Sequence, residues 1–200
     1  MKINEIGRSM IEMLGVLAIV GVLSVGGIAG YSKAMLTYRS NKQIEQLVSI
    51  ITSIINNKDK MPKIASESYI PYLHALGELP KDIVDETAPE RVKLEFGTTM
   101  SIYQSGGYVQ LIANLKGTGQ ENLLICKNMF KVAFNFLDDI RLLASHNGQS
   151  GDESRRYFDY YGSKYCNRNN NCLRDVTIAD IEEACQKHSD EGWQGFLLIF

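Results

Sequence analysis

The pattern of hydrophobic and polar residues first marks out one long apolar run. From Met13 to Ser32 no residue is charged, and most are Leu, Ile, Val, Ala or Gly. In a helix that rises about 1.5 Å per residue, a run of this length crosses the roughly 30 Å hydrocarbon core of a bilayer. Glu12 lies at the start of the run, where an ionised carboxylate near hydrocarbon costs on the order of 2.5–3.5 kcal/mol. We therefore treat Glu12 as a candidate functional residue that needs a cationic partner.

The same helix is predicted to continue to about residue 57 with a different pattern. Residues 39–42 are polar, and the apolar side chains that follow recur at helical spacing. A stripe of this width must be buried against another part of the protein. Within the apolar run, Gly26, Gly27 and Gly30 either allow close helix–helix contact in lipid or weaken the helix when subunits pack. The buried stripe is predicted to contain Ile44, Leu47, Val48, Ile51, Ile54 and Ile55.

Strand patterns occupy two later parts of the chain. Residues 92–96 alternate between apolar and charged side chains, and glycines separate the apolar runs that follow, which is typical of antiparallel hairpins. The last apolar run is continuous, as expected of a buried central strand. We expect an antiparallel sheet of about four strands covered by helices, an α+β fold. The predicted strands are 92–96, Met100–Gln104, 109–115 and Gly195–Phe200.

Three further helices are predicted from spacing and capping signals. A short one lies around residues 67–76. A capping box at Thr118–Glu121 starts the second, whose apolar positions extend from Leu123 to Ala144. Thr177 caps the third, which continues through Lys187. Residues 157–161 are aromatic and fit either a strand or a helix, and residues 167–171 form a polar loop.

The residues around the start of the apolar run form a motif. A short polar leader ends in Gly7, Glu12 is the fifth residue beyond it, and the apolar helical segment follows. This motif resembles the class III signal of type IV prepilins and pseudopilins, and the resemblance covers residues 7–31. It implies the pilin fold, in which a long N-terminal helix packs through its second half on a small antiparallel sheet.

The resemblance also implies how the chain is processed and used. A dedicated membrane peptidase would cut between Gly7 and Arg8 and methylate the new amine of Arg8, and Glu12 would neutralise the amine of a neighbouring subunit. The implied regions are a leader (1–7), a transmembrane half (8–32) and an amphipathic half (33–57) of the helix, and a head (58–200). The implied function is a non-enzymatic fibre subunit for adhesion, motility or uptake. It would be single-pass in the inner membrane before assembly and on the cell surface afterwards. Its partners would be further copies, the prepilin peptidase and the pilus assembly machinery.

Other interpretations of the N-terminus remain open. An ordinary secretory signal has a shorter apolar core and a small-residue cleavage site, neither of which is present. A plain anchor for an extracytoplasmic binding module would need neither Gly7 nor Glu12. Within the resembled family, the chain fits a major pilin or a minor pseudopilin of a type II secretion system. Its size and its C-terminal cysteines are similar to the larger pilins, often called type IVb.

Four cysteines lie in the C-terminal half of the chain. If that half is exported, an even cysteine count indicates disulfides, and four cysteines allow three connectivities. Cys126 and Cys185 lie on the apolar faces of predicted helices, whereas Cys166 and Cys172 bracket the asparagine-rich loop. We therefore predict the pairs Cys126–Cys185 and Cys166–Cys172.

Candidate chemistry elsewhere is sparse. Cys166, Cys172, Cys185 and His188 offer the ligand types that zinc prefers, but their spacing fits no common zinc module. Residues 147–153 and 169–171 are polar loops with few carboxylates for calcium. The histidines are scattered and no nucleophile or phosphate-loop motif is present. A net charge of −2 gives no field that favours nucleic acid. We expect no catalytic residue, metal, cofactor or specific nucleic-acid partner.

Overall fold

The computed structural model describes residues 4–62, 67–115, 119–146, 158–190 and 195–200, and its fold class is α+β, as predicted. A long N-terminal helix and a six-stranded antiparallel sheet are its main elements. The helices are α1 (Asn4–Asn57), α2 (Ile70–Ala75), α3 (Gln120–Ala133) and α4 (Ile178–Asp190). The strands are β1 (Val92–Lys93), β2 (Thr99–Ser105), β3 (Tyr108–Asn114), β4 (Leu142–His146), β5 (Asp159–Tyr161) and β6 (Gly195–Ile199).

Helix α1 is continuous over 54 residues and contains no proline. Contacts within the chain divide it into two units, and the boundary between Arg39 and Ser40 lies inside this helix. In the second unit the predicted stripe is buried: Leu47, Ile51 and Ile54 are at most 1% exposed. Ile44, Val48 and Ile55 are partly buried at the margin of the same core, so the helical spacing located this face of α1 correctly.

The sheet has the strand order β1-β2-β3-β6-β4-β5, with antiparallel neighbours throughout. Strand β6 is central, between β3 and β4, as its continuous apolar sequence predicted. The β2–β3 hairpin turns through Gly106 and Gly107, whose φ angles of 58° and 84° are those a tight two-residue turn requires. Both edge strands are short, with two residues in β1 and three in β5.

The sheet has six strands rather than the four predicted, because two further segments form strands. Residues 142–146 were expected to continue a helix, but α3 ends at Ala133 and these residues form β4, paired with β6. Leu143 faces the main core, while Leu142 and Ala144 belong to a second apolar cluster. A short apolar run fits either helical or strand spacing, and here pairing with β6 decides. The aromatic segment also contributes a strand, β5.

Three element boundaries differ from prediction. Only Val92–Lys93 of residues 92–96 pairs as a strand, and a 3₁₀ turn at Glu95–Gly97 holds Phe96 at φ 60°. Alternation nevertheless predicted burial, since Val92, Leu94 and Phe96 are at most 5% exposed. The short helix α2 starts at Ile70, next to Pro71, which suits a first helical turn. Helix α3 has Gly119 at its N-cap. The predicted capping box involves Thr118, which lies outside the described residues.

Helix α4 begins with the cap that the sequence predicted. The hydroxyl of Thr177 accepts the backbone N–H of Asp180 at 3.2 Å. In return the Asp180 carboxylate accepts the Thr177 hydroxyl at 2.7 Å and its backbone N–H at 2.8 Å. These bonds to Thr177, first from its hydroxyl and then from its N–H, favour the ionised form and lower the pKa of Asp180.

Two disulfides are present, and they are the pairs predicted from the sequence. Cys126–Cys185 joins α3 to α4 across 59 residues with a Cα–Cα distance of 5.6 Å. Cys166–Cys172 closes the asparagine-rich loop with a Cα–Cα distance of 5.2 Å. Three of the four candidate zinc ligands are therefore not thiolates, and that alternative is wrong. The calcium candidate at 147–153 lies outside the described residues.

Gly162, which precedes the small disulfide loop, packs against the backbone of residues 137–141 after α3. A Cβ at this position would lie 1.8 Å from the carbonyl oxygen of Ile140 and 2.6 Å from that of Leu137, so only glycine fits. The Gly162 N–H donates to the Arg141 carbonyl at 3.2 Å, and its own carbonyl accepts the N–H groups of Tyr165 and Cys166, each at 3.0 Å. This contact fixes where the loop starts.

The two disulfides should differ in their sensitivity to reduction. Cys126 and Cys185 are each 0% exposed, whereas Cys166 and Cys172 are partly exposed. A mild thiol reductant needs access to a sulfur, so we expect Cys166–Cys172 to open first in the folded chain. Timed alkylation followed by peptide mass mapping measures the order. The same reaction in strong denaturant is the control and should abolish the difference. Alkylation of Cys126 and Cys185 first in the folded protein would contradict this assignment.

Candidate functional site

The apolar side chains in the first half of α1 lie on the surface. The large ones between Met13 and Tyr31 are exposed by 52% at Val20 to 74% at Val22. The most apolar window has a mean hydropathy of 2.2, and none of it is buried within the protein. The core helix of a soluble domain would have buried such a window. Among the described residues, this is the one helix long and apolar enough to cross a membrane.

Polar groups within and just after the apolar half are compatible with a lipid environment. The Ser24 hydroxyl donates to the Val20 carbonyl at 2.7 Å, and Thr37 donates to the Lys33 carbonyl at 3.0 Å. Such bonds within the helix matter because an unsatisfied polar group in hydrocarbon costs several kcal/mol. Tyr31 and Tyr38 are 68% and 62% exposed near the end of the run, where amphipathic rings suit a membrane–water interface.

The predicted processing and assembly residues all lie on α1. The helix backbone includes Gly7 and Arg8, while the side chain of Arg8 lies outside the described residues. Glu12 is exposed and follows Arg8 by four residues. Residues four apart share one face of a helix, so the predicted cut site and the carboxylate are about one turn from each other.

Five glycines of α1 have open space around them among the described residues. A methyl group added to any of them would meet no atom within 4 Å, so the packing of the described residues does not require glycine there. Glycine in a helix interior costs up to about 1 kcal/mol relative to alanine. These positions are Gly15, Gly21, Gly26, Gly27 and Gly30.

A buried polar cluster of Ser40, Gln43, Thr98 and Asn128 lies where α1 enters the second unit. The Asn128 amide donates to the Gln43 side-chain oxygen at 2.8 Å and to the Ser40 hydroxyl at 3.1 Å. The Gln43 amide donates to the Thr98 hydroxyl at 3.3 Å. The four residues are at most 8% exposed. Because buried polar groups are costly unless they are hydrogen-bonded, this cluster fixes how α1 and α3 face each other.

Contacts to Glu95 extend the cluster toward solvent. The Lys42 ammonium lies 3.2 Å from the Glu95 carboxylate, and the Gln46 side-chain oxygen accepts the Glu95 N–H at 3.1 Å. Sequence reasoning missed this attachment because residues 39–42 were read only as polar. Ser40, Gln43 and Leu47 are nevertheless spaced by three and four, so the buried face of α1 extends toward the N-terminus through polar residues.

Removing Asn128 should destabilise the second unit. Asn128→Ala leaves the buried Gln43 oxygen and Ser40 hydroxyl without this partner, a loss of about 1–3 kcal/mol. Lys127→Ala on the neighbouring residue is the matched control. Its ion pair with Glu182 at 2.5 Å is exposed, so its loss should cost at most about 1 kcal/mol. Denaturant unfolding of the full chain in detergent, followed by circular dichroism, measures both. Equal stability of Asn128→Ala and the parent would show that the cluster does not hold α1.

Comparison of the chain with family models, with curated proteins and with solved structures finds no match. The arrangement of the described residues is compatible with a pilin fold, since a long apolar N-terminal helix packs on an antiparallel sheet in a disulfide-bonded domain.

Proposed function

We propose that the chain is a type IV pilin-like structural subunit that is cleaved after Gly7, methylated on Arg8 and polymerised into a surface fibre. The observation that carries this proposal is the single helix α1, which is exposed and apolar in its first half and buried in its second. Exposed apolar area costs roughly 25 cal/mol per Å² in water, so the first half needs a cover. Lipid supplies it before assembly, and the helices of other copies supply it in the fibre.

Glu12 distinguishes a fibre subunit from a plain anchor. Cleavage creates an α-amine on Arg8, which provides a positive charge at the depth of the Glu12 carboxylate. An amine offered by an incoming subunit to the Glu12 of its neighbour would penalise every register in which the charges stay unmatched. Removing one partner of a buried pair typically costs about 3–5 kcal/mol, which is enough to select one register.

Two further features support assembly outside the cytoplasm. Disulfides persist in oxidising compartments, which agrees with export of the head. The five open glycines of α1 suit close approach of a second helix in lipid, where small residues let backbones come together. We therefore propose the inner membrane as the location before assembly and the cell surface afterwards, with further copies, the prepilin peptidase and the assembly machinery as partners.

Two alternatives share the same helix. A membrane-anchored extracytoplasmic binding module would use α1 only as an anchor and has no use for Gly7 or Glu12. A minor pseudopilin of a type II secretion system would use both residues but would be present in few copies. The intact mass and abundance of the protein in sheared surface fibres separate these possibilities, because the anchored module is absent from fibres.

Cleavage should depend on the small side chain at position 7. We expect Gly7→Leu to block processing, because the proposed peptidase cuts next to glycine, and the precursor should then keep its leader. Gly15→Leu is the matched control, since it adds the same side chain to the same helix where nothing lies within 4 Å of an added Cβ. Intact mass spectrometry of the membrane fraction measures both variants. A Gly7→Leu protein that begins at Arg8 would refute the proposed processing.

Glu12→Ala should leave membrane insertion and cleavage intact but abolish or sharply reduce fibres, because the amine of the incoming subunit loses its partner. Glu12→Asp should give an intermediate yield. Glu45→Ala is the control, since Glu45 is an exposed carboxylate on the same helix within the second unit. Immunoblots of sheared and membrane fractions measure the yields. Normal fibre yield from Glu12→Ala would leave the anchored module as the better function.

A further inference from the structure

The guanidinium of Arg141 lies close to two tyrosine rings on the second unit. Its guanidinium carbon is 4.3 Å from the centre of the Tyr108 ring and 5.0 Å from that of the Tyr165 ring. Tyr108 is 38% exposed and Tyr165 is 39% exposed, so the site opens to solvent. A guanidinium within about 6 Å of a ring centre is attracted to the aromatic face, and its N–H groups can still form hydrogen bonds.

Three separate segments hold these side chains in place. Tyr108 starts β3 directly after the glycine turn of the β2–β3 hairpin. Arg141 is tied to the sheet by its N–H, which donates to the Ile199 carbonyl at 2.7 Å. Tyr165 belongs to the turn seated on Gly162 and precedes the disulfide-bonded Cys166. Because backbone hydrogen bonds of the folded unit hold each segment, the three side chains are positioned before any ligand arrives.

The guanidinium retains most of its hydrogen-bonding capacity. Arginine has five N–H donors, and one of them donates to the Tyr108 hydroxyl at 2.9 Å. No ion pair in the described part of the chain includes Arg141. An arginine with only a structural role usually directs its donors to a carboxylate or to backbone carbonyls. Here one donor reaches a tyrosine hydroxyl, and the remaining donors suit a planar oxyanion bound through two parallel hydrogen bonds.

We propose that Arg141, Tyr108 and Tyr165 form a binding site for a carboxylated sugar, such as a hexuronate unit of an acidic carbohydrate. One guanidinium matches the charge and the geometry of one carboxylate. A polyphosphate ligand would need several cations, and a chain of net charge −2 provides no such field. The exposed tyrosine rings offer apolar surface to the C–H face of a sugar and hydroxyls to its polar groups. This site goes beyond the proposed fibre function and does not depend on it.

Titration of the full chain in detergent micelles with glucuronate tests the site. The readout is the ¹⁵N–¹H spectrum of the arginine side chains, in which the Arg141 signal is assigned by its absence in Arg141→Lys. We expect a saturable shift of this signal with glucuronate, and no saturable shift with glucose at the same concentrations, because glucose lacks the carboxylate. Acetate, which lacks the sugar ring, should bind at least several-fold more weakly.

Matched variants separate binding from folding. Tyr165→Leu removes one ring at the surface and should weaken glucuronate binding several-fold, as should Tyr108→Phe, which keeps the ring but loses the hydroxyl that orients the guanidinium. For Arg141→Lys, saturation-transfer signals of glucuronate replace the missing arginine signal. They should show that Arg141→Lys binds glucuronate about tenfold more weakly than the parent, because lysine keeps the charge without the planar fork. Arg174→Lys is the control. Arg174 is exposed and lies 3.7 Å from Asp175, and its replacement should change nothing.

Several results would overturn the proposal. Absence of a saturable shift with glucuronate would show that the stacked arginine only joins the three segments. Equal affinity for acetate or for inorganic phosphate would show that the sugar is not recognised. Weaker self-association of Arg141→Lys in sedimentation velocity, with glucuronate binding unchanged, would assign the site to contact with an acidic side chain of another copy.

Discussion

The first half of α1 exposes apolar side chains that are unfavourable in water, and this surface has to be covered. Every residue from Met13 to Ser32 is exposed in the described protein. Covering this area requires lipid or other protein, and the second half of the same helix is already committed to a core. A single helix therefore has to satisfy two environments, which it does by changing its pattern from uniformly apolar to amphipathic.

The transition between those patterns is marked by polar residues that are buried. Ser40 and Gln43 lie on the face that leads into Leu47 and Ile50, yet both bond to side chains rather than to water. Apolar residues at these positions would lengthen the apolar run of α1, and the end of that run would no longer be marked by polar side chains. Hydrogen bonds to Asn128 and Thr98 instead require one rotation of α1, because a shifted helix would bury these groups without partners.

The sequence predicted those features that depend on composition and spacing within one segment. The apolar run, the buried stripe of α1, the central position of β6 and the cap at Thr177 all belong to this class. Both disulfides were also predicted. Cys126 and Cys185 each lie on the apolar face of a predicted helix, and Cys166 and Cys172 flank a polar loop. Features that depend on distant partners were missed. Strand β4 exists because Leu142 to His146 pairs with β6, and the Arg141 stack needs three segments that only the fold brings together. Gly162 is comparable, since its need for glycine comes from the carbonyls of Leu137 and Ile140.

The bond between Cys126 and Cys185 also has a mechanical consequence. An extended chain spans at most about 3.3–3.6 Å per residue, so the 59-residue separation between the two cysteines corresponds to about 200 Å of contour length. While the bond is intact, this length is unavailable to a chain pulled from points outside the cross-linked segment. Under tension the chain can therefore lengthen only through the residues before Cys126 and after Cys185, including α1 itself. Oxidation of one cysteine pair thus sets an upper limit on how far the chain can stretch.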